Sequence, residues 1–272
     1  MDPKTSTFWC SFAVTSLYVL VLYIKPIRGN RDSVVVIKSR LLRVSISTMV
    51  SLLLTPVLMV SVTKQASSYS EALGYMGLSI GRSTFKDIWT VLKLFVILFN
   101  GSIAEYLSWG IDSIEEDWSA TQFWQTFRNL VAAPLTEELT YRSCLMGLYG
   151  PWLSSPHSEI IYFTPLFFGL AHITHALDAR IERPQPMAPL VLGTLFRTAY
   201  TTFFGILANL IFVRSNSIWP CVAAHAWCNF MGFPLLAVDG HVWWKTTYYS
   251  LSCFGIWYFY TKFSYWLQGN DL

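Results

Sequence analysis

Two adjacent glutamates, Glu137 and Glu138, precede Arg142; His172 closes the run Phe168-Gly-Leu-Ala-His172; and His225 stands four residues before Asn229. On a helix, Glu138 and Arg142 form an i,i+4 pair in the favourable order, so Glu138 is neutralised within its own turn. Glu137 lies off that face and is left to point at another partner. His225 and Asn229 share a second helix face. A carboxylate with a histidine polarises water as a general base, and a neighbouring His and Asn donate hydrogen bonds to a developing oxyanion. Together these side chains supply what amide hydrolysis requires.

Taken singly, each residue has a plainer reading. Glutamates favour a helix N-terminus through the dipole, a lone histidine packs, and an asparagine in a membrane helix hydrogen-bonds a neighbour. What sets this group apart is its surroundings, because each cluster lies inside an apolar run. Ionisable groups at bilayer depth cost about 2.5–3.5 kcal/mol apiece on insertion scales and normally face a protein interior that uses them.

Other chemistries fit less well. The sequence has no H-E-x-x-H. Gly77-Leu-Ser79-Ile-Gly81 matches G-x-S-x-G in form, but nothing around it reads as a strand-to-helix elbow. Cys144 and Cys228 lie near the clusters, where an apolar setting disfavours the thiolate. The five cysteines (Cys10, Cys144, Cys221, Cys228, Cys253) form no C-x-x-C and read as packing residues. Two readings stay open on residue type: a zinc site of Glu137, His172 and His225, and a non-enzymatic transporter or scaffold with a buried Glu/His network.

The elements that must position these groups are helices in a membrane. The chain has 272 residues, 53% hydrophobic and only 13% charged, against roughly 25% charged in a soluble domain. Twelve Trp and fourteen Tyr suit headgroup interfaces. A net charge of +3, with no basic patch interleaved with stacking aromatics, gives no reason to expect nucleic acid. With about 20 apolar residues needed per crossing, the candidate spans are 5–24, 44–63, 88–111, 127–149, 160–177, 188–213, 215–238 and 246–261. The first reads as a retained span rather than a signal peptide. The fifth and last are short, and Arg197 interrupts the sixth. Residues 1–272 read as one all-α, polytopic domain of about eight spans.

Between the first two spans stand Lys25, Arg28, Arg31, Lys38, Arg40 and Arg43 against one Asp32, so that loop is assigned to the cytosol. Counting onward puts 112–126 and 178–187 there too, the latter with Arg180 and Arg183. Trp118, Phe123, Trp124 and Phe127 suit an amphipathic turn along the interface. The three clusters then fall near mid-membrane on the fourth, fifth and seventh spans. Asn100-Gly-Ser102 is a glycosylation sequon in form only, since it lies within a span.

At these residues the chain resembles the type II CAAX prenyl endopeptidases, the Ras-converting-enzyme group of the CAAX-protease and bacteriocin-processing family. That family's pattern is E-E-x-x-x-R, F-x-x-x-H and H-x-x-x-N, in that order. Here it stands as Glu137-Glu138…Arg142, Phe168…His172 and His225…Asn229. The likeness is strong over about residues 127–238, the expected catalytic core. It implies a helical protease of the endoplasmic reticulum membrane with a conical intramembrane cavity accessible from the cytosol, using no metal, cofactor or covalent nucleophile. Its substrates would be farnesylated or geranylgeranylated CAAX proteins such as small GTPases, from which it would remove the last three residues. Carried over by position, Glu137 and His172 would activate water, His225 and Asn229 would hold the oxyanion, and Glu138, Arg142 and Phe168 would support them. Membrane lipid is the other implied partner.

Overall fold

A computed structural model describes residues 2–24, 26–27, 29–108, 119–153, 159–173 and 186–272. Outside them lie Lys25, Arg28, Trp118, Arg180 and Arg183, so the readings placed on those positions are not addressed by it. The described residues are all-helical with no strand. They run α1 (Pro3–Leu20), α2 (Val34–Val57), α3 (Tyr69–Tyr75), α4 (Arg82–Leu98), α5 (Asn100–Ser108), α6 (Ala120–Phe127), α7 (Ala133–Glu138), α8 (Ile160–Phe163), α9 (Pro165–Ala171), α10 (Met187–Ser215), α11 (Trp219–Met231) and α12 (Val242–Leu267).

Local sequence explains the boundaries. Asp2 caps α1 by accepting from the Thr5 amide at 3.4 Å, with Pro3 at the first helical position. Ser119 and Gln122 form a reciprocal capping box at the start of α6. Asn216 takes a left-handed conformation (φ 45°) to end α10, and Gly232 (φ 67°) ends α11.

Among the described residues, three helices are long and apolar enough to cross a membrane: Pro3–Tyr23, Val34–Val62 and Met187–Ser215. A fourth is added if α4 and α5, bent by 64°, are one broken span. The expected count of eight is therefore not confirmed. The run 127–149 is not one α-helix: π-helical segments at Arg128–Ala132 and Leu139–Met146 flank the six-residue α7. The run 160–177 breaks at Thr164-Pro165, because proline has no amide hydrogen to give. The run 215–238 yields only the thirteen residues of α11. Conversely, Arg197 does not interrupt the sixth run, since α10 is continuous for 29 residues. The last run is longer than expected, at 26 residues.

The bundle gathers around 133–146. Helices α1 and α2 pack on the π-helical stretch, α9 lies along α10, and α11 lies against α4 and α10. Small hydroxyl residues let the first two helices approach: Ser11, Thr15, Ser47, Thr48, Ser51 and Thr55 are all buried. Tyr18 reaches across to Thr136, their hydroxyls 3.1 Å apart. Glycine serves the same purpose at α9. A Cβ on Gly169 would overlap Thr202 Oγ1 and sit 3.0 Å from the Thr198 carbonyl oxygen, so α9 can seat on α10 only without a side chain there. Buried Asn209 of α10 pins the junction before α9, donating to Thr164 Oγ1 at 2.8 Å and to the Ile161 carbonyl at 3.0 Å. Gly77-Leu-Ser79-Ile-Gly81 forms the connection between α3 and α4 and makes no nucleophile elbow.

Candidate active site

Glu137 and Glu138 are neighbours in sequence but face different ways. Glu137 lines a cavity of about 610 Å³ and its side chain keeps 19% exposure, whereas Glu138 is 0% exposed behind the wall. The helix makes this split, since successive residues point about 100° apart at 3.6 residues per turn. The segment also changes from α to π between Glu138 and Leu139, an irregularity found often at functional sites.

Behind the wall, Arg142 Nη1 donates to Glu138 Oε1 at 3.1 Å, both side chains being at most 1% exposed. Arg142 Nη2 donates to the Gly205 carbonyl of α10 at 3.4 Å. The i,i+4 pairing read from spacing is thus present. A second partner was not foreseen: His225 Nδ1 also meets Glu138 Oε1, at 2.7 Å. A carboxylate oxygen in a short contact with an imidazole nitrogen accepts, so Nδ1 carries the proton. His225 Nε2 lies on the cavity side, 3.7 Å from Glu137 Oε2. The imidazole therefore stands between the two glutamates.

His172 caps α9, with its Nδ1 2.9 Å from the Phe168 carbonyl oxygen. A carbonyl can only accept, so Nδ1–H donates and a neutral ring keeps its lone pair on Nε2. Asn229, one turn beyond His225 on α11, donates through Nδ2 to the Asn129 carbonyl at 2.9 Å. That bond uses one of its two N–H groups and fixes the amide's orientation.

Phe168 sits among these groups and is 2% exposed. Its ring centroid is 4.8 Å from that of His172, 5.9 Å from His225 and 5.0 Å from Tyr141. The Arg142 guanidinium carbon lies 4.9 Å over its face. One aromatic ring thus spaces both histidines and covers the buried ion pair.

Of the residues singled out in the sequence, Glu137, His172, His225, Asn229 and Phe168 line this one cavity, while Glu138 and Arg142 stand behind it. Residues outside the three motifs complete it. Phe204 of α10 packs its ring 4.9 Å from His225, and nothing distinguished it from other apolar residues of its run. Arg128, which ion-pairs with Asp32 at 2.9 Å, shares the wall with Arg31, Arg40 and Arg197. Four guanidinium groups around one cavity suit a ligand carrying a carboxylate. Among the described residues, no three His, Cys, Asp or Glu side chains are grouped so as to hold a metal ion.

Comparison with known proteins adds a family. The model described as "Type II CAAX prenyl endopeptidase Rce1-like" matches residues 119–231, the stretch that holds Glu137, Glu138, Arg142, Phe168, His172, His225 and Asn229. The chain is 32% identical over 256 residues to CAAX prenyl protease 2 of Saccharomyces cerevisiae, covering 84% of this chain and 80% of that one. It is 29% identical over 266 residues to the probable CAAX prenyl protease 2 of Schizosaccharomyces pombe, covering 92% and 90%. It is also 36% identical over 107 residues to human CAAX prenyl protease 2, covering 39% and 32%. No solved structure matches the chain.

Proposed function

The chain belongs to the type II CAAX prenyl endopeptidases, and from that membership we propose that it is a protease that removes the C-terminal tripeptide from proteins whose CAAX cysteine is farnesylated or geranylgeranylated. The observation that carries this reading is the common cavity of Glu137, His172, His225 and Asn229, delivered by three separate helical segments.

In the proposed mechanism a water held between Glu137 and His172 is the nucleophile. Glu137 takes its proton as the oxygen attacks the carbonyl carbon of the prenylated cysteine, and His172 offers its Nε2 lone pair to orient that water. The carbonyl oxygen becomes an oxyanion. Asn229 meets it with its second N–H, and His225 with Nε2–H. Because His225 Nδ1 already donates to Glu138, Nε2 can donate only when the ring carries both protons. The charges then balance: two carboxylates against Arg142 and one imidazolium. Collapse of the tetrahedral intermediate breaks the C–N bond, and the proton from Glu137 passes to the leaving amine. A cavity with arginines on its wall accepts the anionic tripeptide end.

The substrates that fit are prenylated proteins such as small GTPases, because a lipidated end partitions into the bilayer where the cavity lies. The proposed location is the endoplasmic reticulum membrane, with the cavity reached from the cytosol. The test is tripeptide release from a farnesylated CAAX peptide by the purified chain in vesicles. Absence of release would refute the reading, and full release by Glu137→Ala or His172→Ala would refute the roles given.

A further inference from the structure

On the reading that this chain cleaves prenylated CAAX ends, we propose that the isoprenoid chain is held in a separate apolar chamber of about 260 Å³ between α4, α5, α10, α11 and α12, entered from the catalytic cavity past Phe204 and Cys228.

Adjacency is the first argument. Removing three residues from a C-terminal CAAX sequence cuts the bond immediately after the cysteine, so the lipid hangs from the very residue that carries the reacting carbonyl. Its pocket must therefore open within a side chain's length of Glu137 and His225. The chamber meets this condition, since Tyr200, Phe204, Cys228 and Phe233 belong to both its wall and that of the catalytic cavity. Phe204 touches His225 on one side and forms the chamber wall on the other. A larger groove of about 730 Å³ along α4 and α12 fails it. That groove shares no lining residue with the catalytic cavity and carries Lys93, Lys262 and Asp271.

Chemistry is the second. The chamber's lining includes no charged side chain. Its inner end is built from buried Phe95 and Phe99, with Ser102 and Ser252 beside them. The Ser252 hydroxyl is already spent on the Tyr248 carbonyl at 2.9 Å. Phe203, Phe233 and Ile256 stand at its outer edge, 59%, 41% and 60% exposed, on faces that would meet lipid. Its volume lies just below the roughly 300–1,000 Å³ usual for whole ligand pockets, as expected of a space that holds one part of a ligand. Such a chamber suits an apolar run of methyl-branched isoprene units, with an open side from which a membrane-dissolved chain can enter.

Two measurements test this in the full chain reconstituted in vesicles. Ser102→Leu fills the inner end, and Ile256→Trp closes the outer edge at an exposed position where packing cost is small. Each is expected to raise KM for a farnesylated CAAX peptide about tenfold, the loss that withdrawing roughly two methylenes from apolar burial brings, with kcat little changed. An unchanged KM in both variants would overturn the assignment. In the second, a farnesylated peptide with a photoreactive group at the end of its lipid is added to Glu137→Gln protein. Labelling of Phe95, Phe99, Ser102, Ser252 or Ile256 supports the chamber, and labelling confined to α1, α2 or the groove residues Lys93, Val96, Ile97 and Lys262 overturns it. Wild-type protein that cuts no farnesylated peptide would refute the proposed function itself, an outcome distinct from either of these.

Discussion

Glu138 Oε1 receives His225 Nδ1 at 2.7 Å and Arg142 Nη1 at 3.1 Å, so the residue behind the cavity wall also orients a side chain on it. Glu138 is thus more than Arg142's counter-ion. Glu138→Ala removes the carboxylate from a fully buried guanidinium, a change that typically costs about 3–5 kcal/mol. The expected result is a large fall in the detergent melting temperature together with lost activity. The double variant Glu138→Gln/Arg142→Met should melt higher than Glu138→Ala, because no charge is then left buried alone, yet should stay impaired, because a neutral amide no longer balances an imidazolium at position 225.

Glu137→Gln separates the neighbouring carboxylates. Its side chain faces the cavity at 19% exposure, and the amide is nearly isosteric. The melting temperature should therefore stay within a few degrees of wild type. Tripeptide release should drop by roughly 10²–10⁴-fold, the usual contribution of a positioned general base. A variant that loses stability instead would assign Glu137 to the scaffold.

How much of this was legible in the sequence depended on what each residue does. Glu138 and Arg142 betrayed their pairing because a helix fixes which positions meet. The Glu138–His225 contact spans 87 residues, and no local rule brings α7 and α11 together. Phe204 carried no signal, since one phenylalanine among several in α10 looks like any other. Asn129 was invisible because its contribution is a backbone carbonyl. The helix borders misled for a different reason. Hydropathy sums residues without regard to hydrogen-bond register, so the π-helical stretches and the break at Pro165 went unseen. All-helical architecture was clear from composition, while the division into crossings was not.

Asn229→Ala removes one proposed oxyanion donor and leaves the Asn129 carbonyl without its amide partner. Loss of a single such donor costs about 10²–10³ in kcat, with KM little affected, because the interaction exists only as charge develops. A rise in KM at unchanged kcat would assign Asn229 to ground-state binding.

Gly169→Ala tests how finely His172 is seated. The added methyl meets Thr202 Oγ1 and the Thr198 carbonyl, so α9 must shift outward. A displacement of about 1 Å can cost on the order of 10²-fold in rate, and overpacking about 1–3 kcal/mol in stability. Thr202→Ala removes the nearest obstacle and should restore part of both. The coupling is read from a double-mutant cycle of melting temperature and kcat.

A strong chelator is expected to leave activity unchanged, and metal analysis of purified protein to find none in stoichiometric amount. Loss of activity with chelator, restored by zinc, would move the reaction to a metal-bound water on Glu137, His172 and His225.

The seating of α9 has a further consequence. At about 1.5 Å per residue, the 29 residues of α10 measure about 43 Å, longer than a hydrocarbon layer of about 30 Å. Such a helix leans to fit its membrane, and the lean varies with acyl-chain length. Because the seven residues of α9 ride on α10 at the Gly169–Thr202 contact, His172 moves with that lean. Turnover in vesicles should then pass through an optimum in bilayer thickness, so that the thickness of the host membrane itself tunes the protease.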